Sequence, residues 1–239
     1  MKQVFERPML FGHRGSPVDH PENTLASFAD CLEHHIDGIE LDVQRCKSGE
    51  LVVIHDYDLQ RVAGHPGKVA ELTYQALKEI DIGNGEHVPL LSDVFALGGT
   101  GLYYDIEIKA PDTKNLGLER LLLEQIHLHG LESRCLVSSF NPISLLRFKR
   151  KSKGSIPTGL IYGDESGVPR ILRHGFGRHI THPSYLKPSK EQIREAKSFG
   201  YQLCAWTVDD REEAKSLLAQ GVMGIISNNP KALKDLFNV

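Results

Sequence analysis

Short apolar runs rich in β-branched residues alternate with amphipathic stretches along almost the whole chain. The runs at 9–11, 38–43, 51–55, 102–108, 135–138, 158–161, 179–181, 203–207 and 224–226 read as strands. Between them, Leu25, Phe28, Ala29 and Leu32 fall at i, i+3, i+4 and i+7, one face of a helix. Leu118, Leu121, Leu122 and Ile126 form a similar stripe. Asn141-Pro142 and Asn229-Pro230 each read as an N-cap followed by proline at the first helical position. Asp209 or Asp210 starts a further helix that ends at Gly221.

Regular alternation of strand and helix predicts parallel strands joined by crossover helices. Nine strand runs are one too many for an eight-stranded barrel. The link "QRCKSGE" between the second and third runs is shorter than the dozen or so residues a parallel crossover needs. Those two runs therefore form an antiparallel hairpin turning near Ser48-Gly49. The fold expected is α/β: a (β/α)8 TIM barrel with one extra antiparallel strand, the whole of residues 1–239 forming one domain. An open doubly wound sheet is the alternative, but no glycine-rich nucleotide signature supports it. Residues 56–91, with a short helical pattern at 71–80, break the rhythm and read as a small insertion near the barrel mouth, either an elaborate loop or a lid.

Side-chain alternation turns this fold into chemistry. In "GIELDV", Glu40 and Asp42 share one strand face, and Ile39, Leu41 and Val43 share the other. The apolar set faces the outer helices, so the two carboxylates point into the barrel. Like charges on one buried face repel, and a hard divalent cation relieves them; an ion pair with a lysine or arginine is the alternative. In "YDIEIKAP" the inward row is Asp105, Glu107 and Lys109. Glu107 is a third candidate ligand, Lys109 a contact for an anionic substrate, and Asp105 a supporting group lying deeper; an internal Glu–Lys pair is again the alternative. A two-residue turn at Ser48-Gly49 sets His55 opposite Asp42, and a longer turn of the same parity sets it opposite Glu40, so His55 is expected on the carboxylate face. His13 ends the first strand, where a barrel carries its reactive groups, with Arg14 beside it as a planar fork for phosphate. Two imidazoles, three carboxylates and two cations at one mouth suit phosphoryl chemistry. Trp206 and Phe140 follow strand ends and are candidates for an apolar wall of the substrate pocket, and His182, at the end of the run 179–181, is a further candidate contact.

Composition narrows the choices further. The chain has 239 residues, 40% hydrophobic and 25% charged, with a formal net charge of −3, so no general basic field points to nucleic acid. Its four cysteines are scattered with no C-x-x-C pair, which argues against a thiolate zinc site or a disulfide framework. No run is long and apolar enough for a signal peptide or a membrane helix, so a cytoplasmic protein is expected. No pattern in the sequence assigns an oligomeric state.

Taken in order, "HRG", "PENT", "IELDV", "VVIHD", "IEIKAP", "SSF" and "WTV" resemble the glycerophosphodiester phosphodiesterase family, over residues 11–230. The resemblance implies a TIM barrel with an insertion after the "HD" pair. It also implies hydrolysis of glycerophosphodiesters to glycerol 3-phosphate and an alcohol, with a divalent cation, Ca2+ or Mg2+. Position by position, it makes His13 and His55 the acid–base pair and Glu40, Asp42 and Glu107 the metal ligands. It puts Arg14 and Lys109 on the phosphate and gives Glu22 and Asn23 of "PENT" a partly structural role. One departure stands out: Ser227-Asn228 replaces the Thr-Asp common in the family. Two other functions compete, a lysophospholipase D-like enzyme and a non-catalytic barrel that binds phosphodiesters. The filled catalytic positions argue against the second.

Overall fold

The structure is a computed structural model that describes residues 5–114, 116–164 and 168–237. Among the described residues eleven strands are found: β1 (Met9–His13), β2 (Gly38–Arg45), β3 (Leu51–Val53), β4 (Asp58–Leu59), β5 (His65–Lys68), β6 (Tyr103–Ile108), β7 (Cys135–Ser139), β8 (Thr158–Tyr162), β9 (Tyr185–Pro188), β10 (Gln202–Ala205) and β11 (Gly224–Ser227). Eight of them, β1, β2 and β6 to β11, pair in parallel in sequence order, and β1 pairs with both β11 and β2. The ring is therefore closed, and the expected barrel is the fold. β3 lies antiparallel on the end of β2 as the ninth strand of the sheet.

The two faces of the strands divide as alternation requires. Ile39, Leu41, Val43, Ile106 and Ile108 are fully buried in the large outer cluster, with Phe28, Leu122, Leu145 and Phe148 from the surrounding helices. Inside, Phe5, Met9, Phe11, Leu136, Tyr185, Cys204 and Ile226 form a second apolar cluster. Gly38 makes room for it, because a Cβ there would stand 2.7 Å from the Phe11 ring. The helix starts follow local chemistry. Thr24 caps Leu25–Glu33, Asn141 caps Pro142–Lys151 with Oδ1 accepting from two backbone N–H groups, and Asp210 caps Arg211–Ala219. Asp209 is thereby left for another use.

Two expectations need correction. The run 179–181 is not a strand. Arg178–Thr181 is a helical turn closed by backbone N–H groups on the Gly177 carbonyl, which also accepts from Thr181 Oγ1. The sixth barrel strand is β9, with Tyr185 and Lys187 pointing inward. His182 ends the helical turn at φ 42°, exposed, and does not line the cleft described below. Second, the hairpin register differs by one. Val43 faces Val53 and Arg45 faces Leu51, and the loop has three residues, with Gly49 at φ 109° taking the position that favours glycine. Continued upward, that ladder would set His55 against Leu41. β3 ends first, at Val53, and the chain turns. Gln44 Nε2 holds the turn by donating to the carbonyls of Ile54, His55 and Asp56.

The segment 56–91 carries the β4–β5 pair, the helical turns Gln60–Ala63 and Tyr74–Leu77 and a 3-10 turn, Val69–Glu71. The expected helical pattern at 71–80 is thus condensed into a single turn. Leu59, Val69, Leu77, Ile82 and Val88 bury a small apolar cluster against Val52 and Ile54.

Deep in the barrel, Lys187 Nζ lies 2.6 Å from Asp105 Oδ2 and donates to Ser138 Oγ, which donates in turn to Asp105 Oδ1. Both charged side chains are 1% exposed, so each needs the other. Lys187→Met should therefore lower the unfolding free energy by about 3–5 kcal/mol in urea titration. Adding Asp105→Leu to it should recover most of that loss; a single variant as stable as the parent would contradict the pairing.

Candidate active site

The first wall of the site is a turn. Gly12 to Gly15 bends the chain back at the top of β1, and the Gly15 N–H donates to the Gly12 carbonyl. Arg14 sits at φ 57° in the left-handed region, where a bulky residue is strained. The strain is held by Asn23 N–H and Ser27 Oγ, both donating to the Arg14 carbonyl. The turn aims the Arg14 backbone N–H at Glu40 Oε2 (3.2 Å), and Arg14 Nε lies 3.5 Å from Asp42 Oδ2.

β2 and β6 supply the centre. They run in register, Glu40 beside Asp105 and Asp42 beside Glu107, so their inward carboxylates meet as alternation predicts. One oxygen each from Glu40, Asp42 and Glu107 lies within 4.8 Å of the others, and all three residues are buried. Lys109 Nζ bridges Asp42 Oδ1 (3.2 Å) and Glu107 Oε1 (2.8 Å). Burial and then the neighbouring Asp42 charge push the Glu40 carboxyl well above its usual range. Burial raises Asp42 too, but Lys109 and Arg14 outweigh it and hold that carboxyl below its usual range. Asp42 Oδ2 also accepts from Asn23 Nδ2 at 2.8 Å.

The two imidazoles line the same cleft as Glu40 and Glu107. His13 Nε2 is 4.0 Å from Glu40 Oε2, and its Nδ1 is 2.7 Å from Asn228 Oδ1. Burial, then the Arg14 charge, lowers the His13 imidazole to about 4. His55 Nδ1 is 2.6 Å from Asp56 Oδ1. Arg61, from the 56–91 segment, donates through Nε to Asp56 Oδ2 and through both terminal nitrogens to Glu22, which also accepts from Arg14. Glu22 therefore ties Arg14 to the His55 side of the mouth.

A cleft of about 740 Å3 opens above these groups. His13, Arg14, Glu40, His55, Glu107 and Lys109 line it, together with Phe140, Ile143, Leu172 and Trp206. Phe140 and Trp206 meet edge to face with centroids 5.6 Å apart, and Trp206 Nε1 donates to the Lys187 carbonyl. Both rings therefore border the cleft. Of the residues singled out in the sequence, only His182 lies away from the site. Lys187, Arg61 and the Asp209–Asn228 pair were not anticipated. Inward alternation of Tyr185 and Lys187 in "YLKP" would have marked Lys187 had the sixth strand been placed correctly.

The site's donor set suits a hard divalent cation. The trio offers only oxygens, and Ca2+ contacts of about 2.3–2.6 Å span oxygens up to about 5 Å apart. Four inward carboxylates (Glu40, Asp42, Asp105, Glu107) face three cations (Arg14, Lys109, Lys187), leaving one negative charge in excess. A divalent ion and a singly charged phosphodiester together bring that balance to zero.

A profile described as the glycerophosphoryl diester phosphodiesterase family matches residues 13–232. The chain belongs to this family. It is 35% identical to a glycerophosphodiester phosphodiesterase of Caldanaerobacter subterraneus subsp. tengcongensis over 96% of this chain and 98% of that one. It is 32% identical to one of Bacillus altitudinis, over 92% and 94%. Among solved structures, an Oleispira antarctica phosphodiesterase in complex with the product sn-glycerol-3-phosphate superposes with a TM-score of 0.84 at 23% identity, covering 98% of both chains. A Thermotoga maritima glycerophosphodiester phosphodiesterase gives 0.74 at 23% identity, over 97% and 99%. These likenesses bear out the barrel, the family resemblance and the enzyme class it implied. No helix of the described residues is long and apolar enough to cross a membrane.

If the trio holds a cation, Ca2+ or Mg2+ at 100 times its dissociation constant should stabilise the protein by about 2.7 kcal/mol, which raises the melting midpoint by about 5–10 °C. Differential scanning calorimetry reads this shift. It should vanish with chelator and in Glu107→Gln, and a midpoint indifferent to both ions would remove the cation from the account.

Proposed function

We propose that this protein hydrolyses glycerophosphodiesters to glycerol 3-phosphate and an alcohol, using a divalent cation held by Glu40, Asp42 and Glu107. The observation that carries the reading is the buried carboxylate trio, two of whose members line the same cleft as His13 and His55. When bound, the cation supplies charge neutralisation at the phosphoryl oxygens. Arg14 and Lys109 add donors and positive charge on the same anion, so the phosphodiester is oriented before reaction. One imidazole accepts the proton of the attacking oxygen as the new P–O bond forms; that oxygen is water's in direct hydrolysis, or the neighbouring glycerol hydroxyl's in a route through a cyclic phosphate that water then opens. The other gives a proton to the alkoxide as its P–O bond breaks. Asp56 and Asn228 orient the two rings, and Glu22, Asn23 and Asp105 hold Arg14, Asp42 and Lys187. The 56–91 insertion contributes Arg61 to the mouth within a single catalytic unit spanning the chain, and a cytoplasmic location suits its small, water-soluble substrate.

The apolar part of the cleft's lining favours a second reading within the same chemistry. Phe140, Ile143, Leu172 and Trp206 give that lining apolar surface, which suits an acyl chain carried on the retained glycerol phosphate, as in a lysophospholipid that loses choline or ethanolamine. The same purified protein separates the readings. With Ca2+ or Mg2+, glycerophosphocholine should give glycerol 3-phosphate, and chelator should stop it. Faster turnover of lysophosphatidylcholine would shift the assignment to the second reading. His13→Ala and His55→Ala should each lower kcat by about 10²–10⁴-fold with the circular dichroism spectrum unchanged. Parental rates in either variant would remove that residue from proton transfer.

A further inference from the structure

The loop after β11 presents Asn228 beside His13, and this asparagine is held in one orientation. Its Nδ2 donates to Asp209 Oδ2 at 2.9 Å, and its Oδ1 lies 2.7 Å from His13 Nδ1. Asp209 is fixed in turn, its Oδ1 accepting from Ser227 Oγ at 2.9 Å and from the Asn228 backbone N–H at 2.7 Å. Its neighbour Asp210 caps the following helix, so Asp209 is free for this task.

A carboxylate only accepts hydrogen bonds, and an amide oxygen only accepts. Asp209 therefore turns the Asn228 NH2 toward itself, and the amide oxygen is left facing His13. His13 Nδ1 must then carry a proton. In the neutral ring the lone pair sits on Nε2, on the side of Glu40.

We propose that Asp209, acting through Asn228, is a positioning residue that fixes the tautomer of His13 and presents its Nε2 to the substrate. Neither Asp209 nor Asn228 lines the cleft, so both act through His13 rather than on the reacting atoms. The proposal rests on His13 being a proton-transfer residue of the phosphodiesterase.

The hydrogen-bond directions make a sharp test. In Asp209→Asn, the new amide oxygen must accept from the Asn228 backbone N–H and Ser227, so its NH2 meets the Asn228 side chain. Two NH2 groups cannot face each other, and Asn228 flips. Its own NH2 then points at His13 Nδ1, which becomes an acceptor and moves the proton to Nε2. A second change, Asn228→Asp, repairs the line. The new carboxylate accepts from His13 Nδ1 on one oxygen and from the amide introduced at position 209 on the other. The double swap thus restores the polarity with the same two functional groups exchanged.

The experiment uses the full-length protein with 15N-labelled histidine at neutral pH, with and without Ca2+. The His13 signals are identified by their loss in His13→Ala. The parent should show a protonated Nδ1 and a bare Nε2, Asp209→Asn the reverse, and the double swap the parental pattern. On glycerophosphocholine, kcat should fall by about 10²–10⁴-fold in Asp209→Asn with KM changed little, and recover to within about tenfold in the double swap. An unchanged tautomer in Asp209→Asn, or no recovery in the double swap, overturns the proposal. Should Asp209→Asn fail to fold, Asn228→Leu replaces it: a mixture of tautomers supports the relay, and a retained single Nδ1–H tautomer overturns it. A parent that turns over no glycerophosphodiester would defeat the proposed function while leaving the tautomer measurement standing.

Discussion

Four carboxylates share the inside of one barrel with three cationic side chains, and the site depends on how that imbalance is managed. Buried charges are tolerable only when paired and hydrogen-bonded. Asp105 and Lys187 settle each other, with Ser138 filling the remaining valence. Glu107 and Asp42 share Lys109, and Asp42 has Arg14 and Asn23 besides. Among the described residues Glu40 has an amide donor from the Arg14 backbone and a distant imidazole, and it shares the charge of Lys187 with Asp105. The shortfall is therefore located at Glu40, beside the two other carboxylates that complete the oxygen trio. On the proposed function, the same arrangement that is costly to fold is what would draw a cation and then an anion to the mouth.

The rest of the structure serves to hold these charges in register. β2 and β6 run parallel and in step, so the acidic rows of two distant segments face one another without loop adjustments. The strained Arg14 backbone is anchored by Asn23 and Ser27 at the start of the next helix, which joins the "HRG" and "PENT" motifs into one piece. Arg61 reaches in from the 56–91 segment and ties Glu22 to Asp56. That link couples the rim to both the Arg14 side and the His55 side of the cleft.

Much of this was legible in the sequence because strand alternation is a local rule. "IELDV" and "IEIK" disclose their inward faces without any knowledge of the partners, and the short link before "LVVIH" excludes a crossover. What was not legible depends on register and on long-range hydrogen bonds. One extra loop residue shifted the hairpin ladder, and His55 still reached the mouth because Gln44 gathers the carbonyls where β3 ends. "HIT" has strand composition, yet it turns onto the Gly177 carbonyl, so the true sixth strand and Lys187 were passed over. Ser227-Asn228 looked like a rim substitution. Its meaning appears only when Asp209, eighteen positions or more away, is seen to set the amide's direction.

The central claim is that the carboxylate trio is a cation site and not a self-contained ion-pair network. A crystal structure of the protein grown with Ca2+ tests it directly through the ion's anomalous signal. The account predicts one ion with an oxygen from each of Glu40, Asp42 and Glu107 at about 2.3–2.6 Å, with Lys109 Nζ displaced from between Asp42 and Glu107. An ion bound elsewhere, or none with Lys109 still bridging the two carboxylates at saturating Ca2+, would contradict it.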